Sequence, residues 1–404
     1  MKALVISVGT GTSLTKEAVD SLAKAITFGI RHHNPDKTFF VVSQQSKRVT
    51  MSQILRKTQL KDFEQIIVKS PDNIQQIYEE LQPSFQKMRQ RYSQIAVDYT
   101  SGTKAMTGAL TILGATYEVD TLSYITGKRK GGIVQAGTEE IRIIRPYFAT
   151  TEQKVKMAVQ LFNRNQFDAT ITLLNQIRET TVDPTITTHI KPILDLAEAY
   201  GSWDRFQHQE AFQTLRNIDK KEIAKNKRFL GQLLHTENPE PYYIADLLNN
   251  ARRRGTEEKR YDDAVARLYR TIELVAQHQL KAKYEIQTSD VKPQQIPKKL
   301  VEKWNITADT RKIRLPLDKA YELLKVKHDP IGQKFAEDRK LRHLLSQRNK
   351  SILAHNLKPV TQKTYRELYQ KAMQYTKTVT GNLDKLIEDS TFTKWMELDS
   401  AHDA

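Results

Sequence analysis

At 404 residues with a 39% hydrophobic share, the chain exceeds one ordinary core and is too apolar to be wholly disordered, so two or three domains are expected. It contains no cysteine, which excludes disulfides, thiolate metal sites and cysteine nucleophiles, and no apolar run reaches the ~18 residues of a membrane span. Basic residues number 64 and acidic ones 47, a net +17 that divides into +7 over 1–150 and +10 over the rest; so diffuse an excess favours anionic partners, nucleic acid or nucleotide.

The first 150 residues alternate between strand and helix patterns. Ala3 to Val8 is a short apolar run. It leads into Gly9-Thr10-Gly11-Thr12 where a signal peptide would carry a longer core and a cleavage site, so it reads as a buried strand and the expected location is cytoplasmic. Lys16 to Arg31 has helical periodicity through Val19, Leu22, Ala23, Ile26 and Ile30. Thr38 to Val42 and Phe63 to Val68 are strands, Ile74 to Arg91 a charged helix, and Ile95 to Asp98 another strand before the apolar helix Ala105 to Thr116. Leu122 to Thr126 and Gly132 to Val134 are expected to form a hairpin around Gly127–Gly131, with Glu140 to Ile144 extending it. Such alternation predicts an α/β, Rossmann-like domain with a mostly parallel sheet. Beyond about Thr151 the pattern becomes all-α to the end. Val155 to Phe162 and Asp168 to Ile177 look like a helical hairpin, but no sustained repeat period follows. The charged stretch 251–260 is the expected second boundary, giving domains 1–150, 151–250 and 251–404. Tyr261 to Leu280, Leu317 to Val326, Phe335 to Ser346 and Thr361 to Ile387 are further helices.

Two loops lie at the carboxyl ends of strands, where parallel sheets bind ligands. Gly9-Thr10-Gly11-Thr12-Ser13 follows the first strand, and Thr100-Ser101-Gly102-Thr103-Lys104 follows the fourth and opens a helix. Small residues, hydroxyls, free N–H groups and a helix N-terminus suit phosphate. Neither loop is a G-x-x-x-x-G-K-[ST] or a G-x-G-x-x-G sequence, so ATP hydrolysis and dinucleotide binding lose support.

Near the other end stands Arg348-Asn349-Lys350-Ser351-Ile352-Leu353-Ala354-His355. On a continuous helix the seven-residue separation of Arg348 and His355 turns about 700° and brings both to one face. The pair suits RNA cleavage. Histidine moves protons near neutral pH, and arginine holds phosphate oxygens through paired hydrogen bonds. Taken alone, R-x6-H is also ordinary for an amphipathic helix.

Together, in this order, ALVISVGTGTS, DYTSGTKAMTGAL and RNKSILAH resemble the CRISPR-associated CARF–HEPN ancillary ribonucleases of type III systems. The first two are similar to the CARF ligand loops, the third to the HEPN R-x4–6-H motif with asparagine after arginine. Leu268-Tyr269-Arg270-Thr271-Ile272-Glu273 resembles the first long HEPN helix. Residues 151–250 carry no matching motif and form a helical linker region. The resemblance implies a CARF domain over 1–150 that binds cyclic oligoadenylate as an allosteric activator, and a HEPN domain over 251–404 that cleaves single-stranded RNA without a metal or other cofactor. It implies a homodimer, with no membrane association and no stable DNA binding. Carried over, Thr10, Gly11, Thr12 and Ser13 contact ribose or phosphate, and Ser101, Gly102, Thr103 and Lys104 cradle the opposite side. Gln44 and Gln45 are adenine readers by position. His355 transfers protons, Arg348 clamps phosphate and Asn349 positions it. Arg270 and Glu273 are weaker candidates, since an i, i+3 pair is commonly structural. Ser101 stands where many relatives have glycine, and the Arg–His spacing is at the motif's long end.

The alternatives are a cyclic-oligoadenylate sensor or ring nuclease without RNase output, and a CARF-type transcription regulator. Ring cleavage in the front domain is also compatible with the first reading, because it needs geometry and no signature residue. His32-His33 lacks a third ligand for a metal. His343 is expected on the surface, Lys128-Arg129-Lys130 at a hairpin tip that could draw in an anion, and Trp203, Trp304 and Trp395 stand apart from basic clusters.

Overall fold

The computed structural model describes residues 1–395, except 12–13, 131–132, 136, 181–183, 308–311, 350 and 354–356. The chain divides into two compact units, Met1–Lys156 and Met157–Ala404.

In the first unit the elements run β1 (Lys2–Val8), α1 (Lys16–His33), β2 (Lys37–Val42), α2 (Gln44–Val49), α3 (Met51–Thr58), β3 (Phe63–Ile67), α4 (Ile74–Arg91), β4 (Gln94–Asp98), α5 (Lys104–Thr116), β5 (Thr121–Thr126), β6 (Arg129–Lys130), β7 (Ile133–Val134) and β8 (Glu140–Ile144). Among the described residues the sheet has six strands in the order β3-β2-β1-β4-β5-β8. The first five are parallel, and β8 runs antiparallel to β5. The period-2 alternation of side chains sorts the strand residues between two layers. Val5, Val41 and Val97 pack with Ile77 and Phe85 of α4 and Leu110 of α5. Leu4, Ile6 and Phe40 pack with Ile26 of α1 and Ile54 of α3. Strand order reverses between β1 and β4, which places the two loops read above side by side.

The expected hairpin is corrected here. β5 pairs with β8, Leu122 opposite Ile144, while β6 and β7 form a separate two-stranded ribbon. Arg129 and Lys130 are thus strand residues and not a loop tip. Period-2 apolarity marks both segments as strands but does not choose their partners.

A buried polar chain crosses this unit. The Ser123 hydroxyl donates to Asp98 Oδ2 at 2.8 Å and meets His33 Nε2 at 2.8 Å, and Asp98 Oδ1 accepts from the Thr100 amide at 3.0 Å. Burial pushes the Asp98 carboxyl up, against the hydrogen bonds from Thr100 and Ser123. His33 is the buried last residue of α1.

The second unit is helical. α6 (Tyr147–Asn163) enters it, followed by α7 (Phe167–Thr180), α8 (Pro184–Asp204), α9 (His208–Arg216), α10 (Ala224–His235) and α11 (Glu240–Arg252). After a π-helical turn, Arg253–Glu257, come α12 (Tyr261–Tyr284), α13 (Lys298–Lys303), α14 (Leu317–Val326), α15 (Pro330–Glu337), α16 (Arg339–Asn349), α17 (Gln362–Val379) and α18 (Leu383–Asp389). The run Phe335–Ser346, expected as one helix, breaks at Asp338. Its carboxylate caps the next helix by accepting from the Leu341 amide at 2.9 Å. Likewise 361–387 breaks at Thr380 into α17 and α18.

Residues 251–260, charged in sequence, turn Ala251, Arg253 and Gly255 into the interior while Thr256, Glu257, Lys259 and Arg260 stay exposed. Arg253 is 3% exposed. Its Nε donates to Asp204 Oδ1 at 2.8 Å, its guanidinium lies 4.0 Å from the Phe392 ring centroid, and Arg254 also bonds Asp204. Asn250 Nδ2 adds a hydrogen bond to the same carboxylate at 3.1 Å. The segment after α18 packs back onto α8, α10 and α11. Asn226 Nδ2 donates to the Asp389 and Thr391 carbonyls at 2.8 and 3.0 Å, and Phe392 stacks on Tyr200 at 4.4 Å.

Two stability predictions follow from these networks. Asp204→Ala leaves Arg253 buried without its counter-ion and should cost about 3 kcal/mol, whereas Glu152→Ala, in an exposed pair with Lys156, should leave the unfolding midpoint unchanged; urea unfolding followed by tryptophan fluorescence measures both. His33 titrates at about 4, against 6.5 when free, because burial disfavours its charged form, with Lys2 and His32 adding. The unfolded chain therefore binds the extra proton between these values, and stability present at neutral pH is lost as pH falls through 6.5 towards 4, by up to ~3 kcal/mol. Hydrogen exchange of α1 amides at pH 7 and pH 5 should show a smaller loss of protection in His33→Gln than in wild type.

Candidate functional site

The front site is a cleft of about 490 Å³ at the carboxyl ends of β1, β4 and β5. Gly9 and Gly102 meet at its base. A β-carbon on Gly9 would stand 2.8 Å from the Gly102 amide nitrogen, and Gly102 has φ +109°, a region that favours glycine. Ser101 fastens the two loops together: its hydroxyl donates to the Ser7 carbonyl at 2.7 Å and accepts from the Gly9 amide at 3.1 Å. The Ser7 hydroxyl returns a bond to the Ser101 carbonyl. The serine that departs from the usual glycine is thus a structural brace.

Thr103 is the N-cap of α5, accepting from the Met106 amide at 3.1 Å and donating to the Pro71 carbonyl. The hydroxyls of Ser101 and Thr103 are therefore committed to the fold, while Thr10 and Gly11 line the cleft from the other loop. Thr12 and Ser13 lie outside the described residues. Gln44 and Gln45 do not end a strand. They open α2 behind the Ser43 cap, and of the two only Gln45 lines the cleft. Lys104 is exposed at the first turn of α5 and is not part of the lining. Arg129 is: with Asp72 it supplies the charge among the lining residues, and it forms no ion pair among the described residues. The basic run 128–130 was the available signal, but only the separate β6–β7 ribbon, tied to α1 by a hydrogen bond from the Ser21 hydroxyl to the Val134 carbonyl at 3.3 Å, turns it towards the cleft.

The rear site centres on Arg348. α16 ends at Asn349, and Ser351–Leu353 form a turn. The single continuous helix assumed for the motif is corrected by this break. His355 lies outside the described residues. The Arg348 guanidinium lies 4.7 Å from the Tyr269 ring centroid, a cation–π contact, and its Nη1 reaches Asn349 Oδ1 at 3.4 Å. Two buried polar atoms here have no partner among the described residues, Arg348 Nε and Ser351 Oγ. Burial raises the Tyr269 hydroxyl above its usual range, with the Glu273 and Asp318 charges adding and Arg348 opposing. Arg270 bonds Glu273 at 2.7 Å and borders a different groove, beside Phe206 and Tyr243. The residue of α12 that meets the motif is thus Tyr269. Its only sequence signal is an aromatic on the helix whose neighbouring charges drew attention first. His343 is exposed, 2.8 Å from Gln347.

Among the described residues no group of three or more His, Cys, Asp or Glu side chains could hold a metal ion, and no helix is long and apolar enough to cross a membrane.

Comparison with known proteins matches the helical part of the chain to two family domains. Residues 150–237 match the Csm6 6H domain and residues 234–379 the Csm6 HEPN domain. None of the curated proteins matches the chain. Among solved structures, the fold is similar to that of Enterococcus italicus Csm6 bound to cyclic hexa-2'-fluoro-hexa-dAMP, with a TM-score of 0.63 and 14% identity over 96% of this chain and 98% of that one. The stretches matched by the two Csm6 models adjoin each other in the helical part of the chain, with Arg348 at the end of α16 inside the second, and the chain belongs to the Csm6-like CARF–HEPN proteins.

Proposed function

We propose that this protein is a cyclic-oligoadenylate-activated endoribonuclease that cleaves single-stranded RNA in type III CRISPR defence. The observation that carries this reading is the matched HEPN domain with Arg348 held by Tyr269 beside Asn349. The solved relative of similar fold binds a cyclic adenylate analogue, and the front cleft here has the small loops and helix N-terminus that suit phosphates.

In this reading Thr10, Gly11, Gln45, Gly102 and Arg129 meet the activator, with Thr12 and Ser13 continuing the same loop. Ser101 and Thr103 hold the loops in place, and Lys104 and Gln44 act only on reaching inward. A two-fold ligand suits a homodimer with one pocket shared across the axis. The domain limits remain 1–150, 151–250 and 251–404, acting in the cytoplasm. At the rear site the ribose 2′-hydroxyl attacks its own 3′-phosphate, losing a proton, and the 5′-oxygen leaves, gaining one. The products are a 2′,3′-cyclic phosphate and a free 5′-hydroxyl. His355 moves the proton, Arg348 holds the charged phosphorane and Asn349 positions the phosphate, all without a metal. The cation–π contact with Tyr269 places the guanidinium, whose Nη nitrogens are the donors for phosphate oxygens in this reading.

The test is cleavage of a fluorescent single-stranded RNA in EDTA with cyclic tri-, tetra- or hexa-adenylate added in turn. One ring size should activate wild type, and Arg348→Ala and His355→Ala should each lower kcat by at least ~100-fold. Binding without cutting would favour the sensor reading, and no binding would remove the front-site reading. Arg129→Ala should weaken activator binding about tenfold by calorimetry, as loss of a charge-assisted phosphate contact does, while leaving the cutting rate at saturating activator within about twofold.

A further inference from the structure

A groove of about 610 Å³ runs beside the rear motif, and the function above does not use it. Its wall on α16 is formed by Arg342, Leu345, Ser346 and Asn349, spaced three, four and seven apart and therefore on one helical face. Tyr269 lines it from α12 and is the same ring that carries Arg348. The groove is thus continuous with the motif. Its floor is aromatic: Tyr321 and Phe335 are buried and stacked at 4.0 Å, and the Tyr321 hydroxyl is already spent on the Ile272 carbonyl at 2.9 Å.

The charges on the rim are unbalanced in a useful way. Glu322 is occupied by Lys303 at 2.5 Å and by the Trp304 ring N–H at 2.9 Å. Arg342 and Lys325 are exposed and, like the exposed carboxylate Asp318, form no ion pair among the described residues, so cations are in excess by one. A cleft of this volume, with excess positive charge beside the half-buried ring of Tyr269, has the chemistry of a nucleotide site.

We infer that this groove holds the RNA nucleotide flanking the scissile phosphate, its base beside Tyr269 and its phosphate between Arg342 and Lys325. The inference rests on the ribonuclease reading for its substrate class. It makes Arg342 and Lys325 substrate-binding residues that set the register of the strand against Asn349 and Arg348, while the bond-breaking groups stay where they are.

The experiment is a comparison of wild type with Arg342→Ala, Lys325→Ala and the double variant. On single-stranded RNA with activator, each single change should raise KM roughly fivefold with kcat altered less than twofold, and the double change should lower the slope of log affinity against log salt by ~0.7, the value for one lost phosphate contact. Anisotropy with a 2′-O-methyl oligonucleotide, which has no nucleophilic hydroxyl, reads the groove independently of cutting. If wild type binds this RNA but never cuts RNA, the activity reading fails and the variants' affinities still decide the groove. If the double variant binds with wild-type affinity and salt slope, or if wild type binds no RNA, the groove assignment is overturned.

Discussion

Two loops of backbone meet at the reversal point of the front sheet with no room for a β-carbon between them. That contact, Gly9 against Gly102, is the constraint on which the front site depends. It lets β1 and β4 end at the same level, so that the N-terminus of α5 and the loop after β1 open onto one cleft. Ser101 secures the crossing with two hydrogen bonds to the opposite loop, and Thr50 adds a third, from its hydroxyl to the Gly9 carbonyl at 2.7 Å. A side chain that looks like a ligand contact in a Thr-Ser-Gly-Thr run is also part of the frame, while still lining the cleft.

The helical unit is held by a different device. Buried amides and one buried carboxylate tie its sequence-distant parts together. Asp204 at the end of α8 receives Arg253 and Arg254 from the π-helical turn, and Asn226 and Asn249 hold the segment after α18. These contacts join the stretch matched as the 6H domain to the stretch matched as the HEPN domain, within one compact unit. Each such group is costly to bury unless satisfied, so the network selects one arrangement of helices over others that bury equal apolar area. The charged character of residues 251–260 marks an internal joint here.

At the rear site, rigidity comes from stacking. Holding Arg348 flat against Tyr269 orients a flexible side chain at small entropic cost on substrate binding, because the guanidinium is already placed. Ending α16 at Asn349 releases the described residues beyond it, Ser351–Leu353, from helical register.

The sequence by itself determined the α/β front with its strand-end loops, the all-α remainder and the order of motifs, and it offered Arg348-Asn349 as candidates. Hydrophobic periodicity and short loop signatures are local, and local patterns survive in a linear reading. Tertiary structure alone decided that β5 pairs with β8, that Gln45 and Arg129 face the cleft while Gln44 and Lys104 do not, and that Tyr269, in preference to Arg270, meets Arg348. Each of these depends on which neighbour another element supplies. A strand pattern does not name its partner, and one residue along a helix turns a side chain by about 100°.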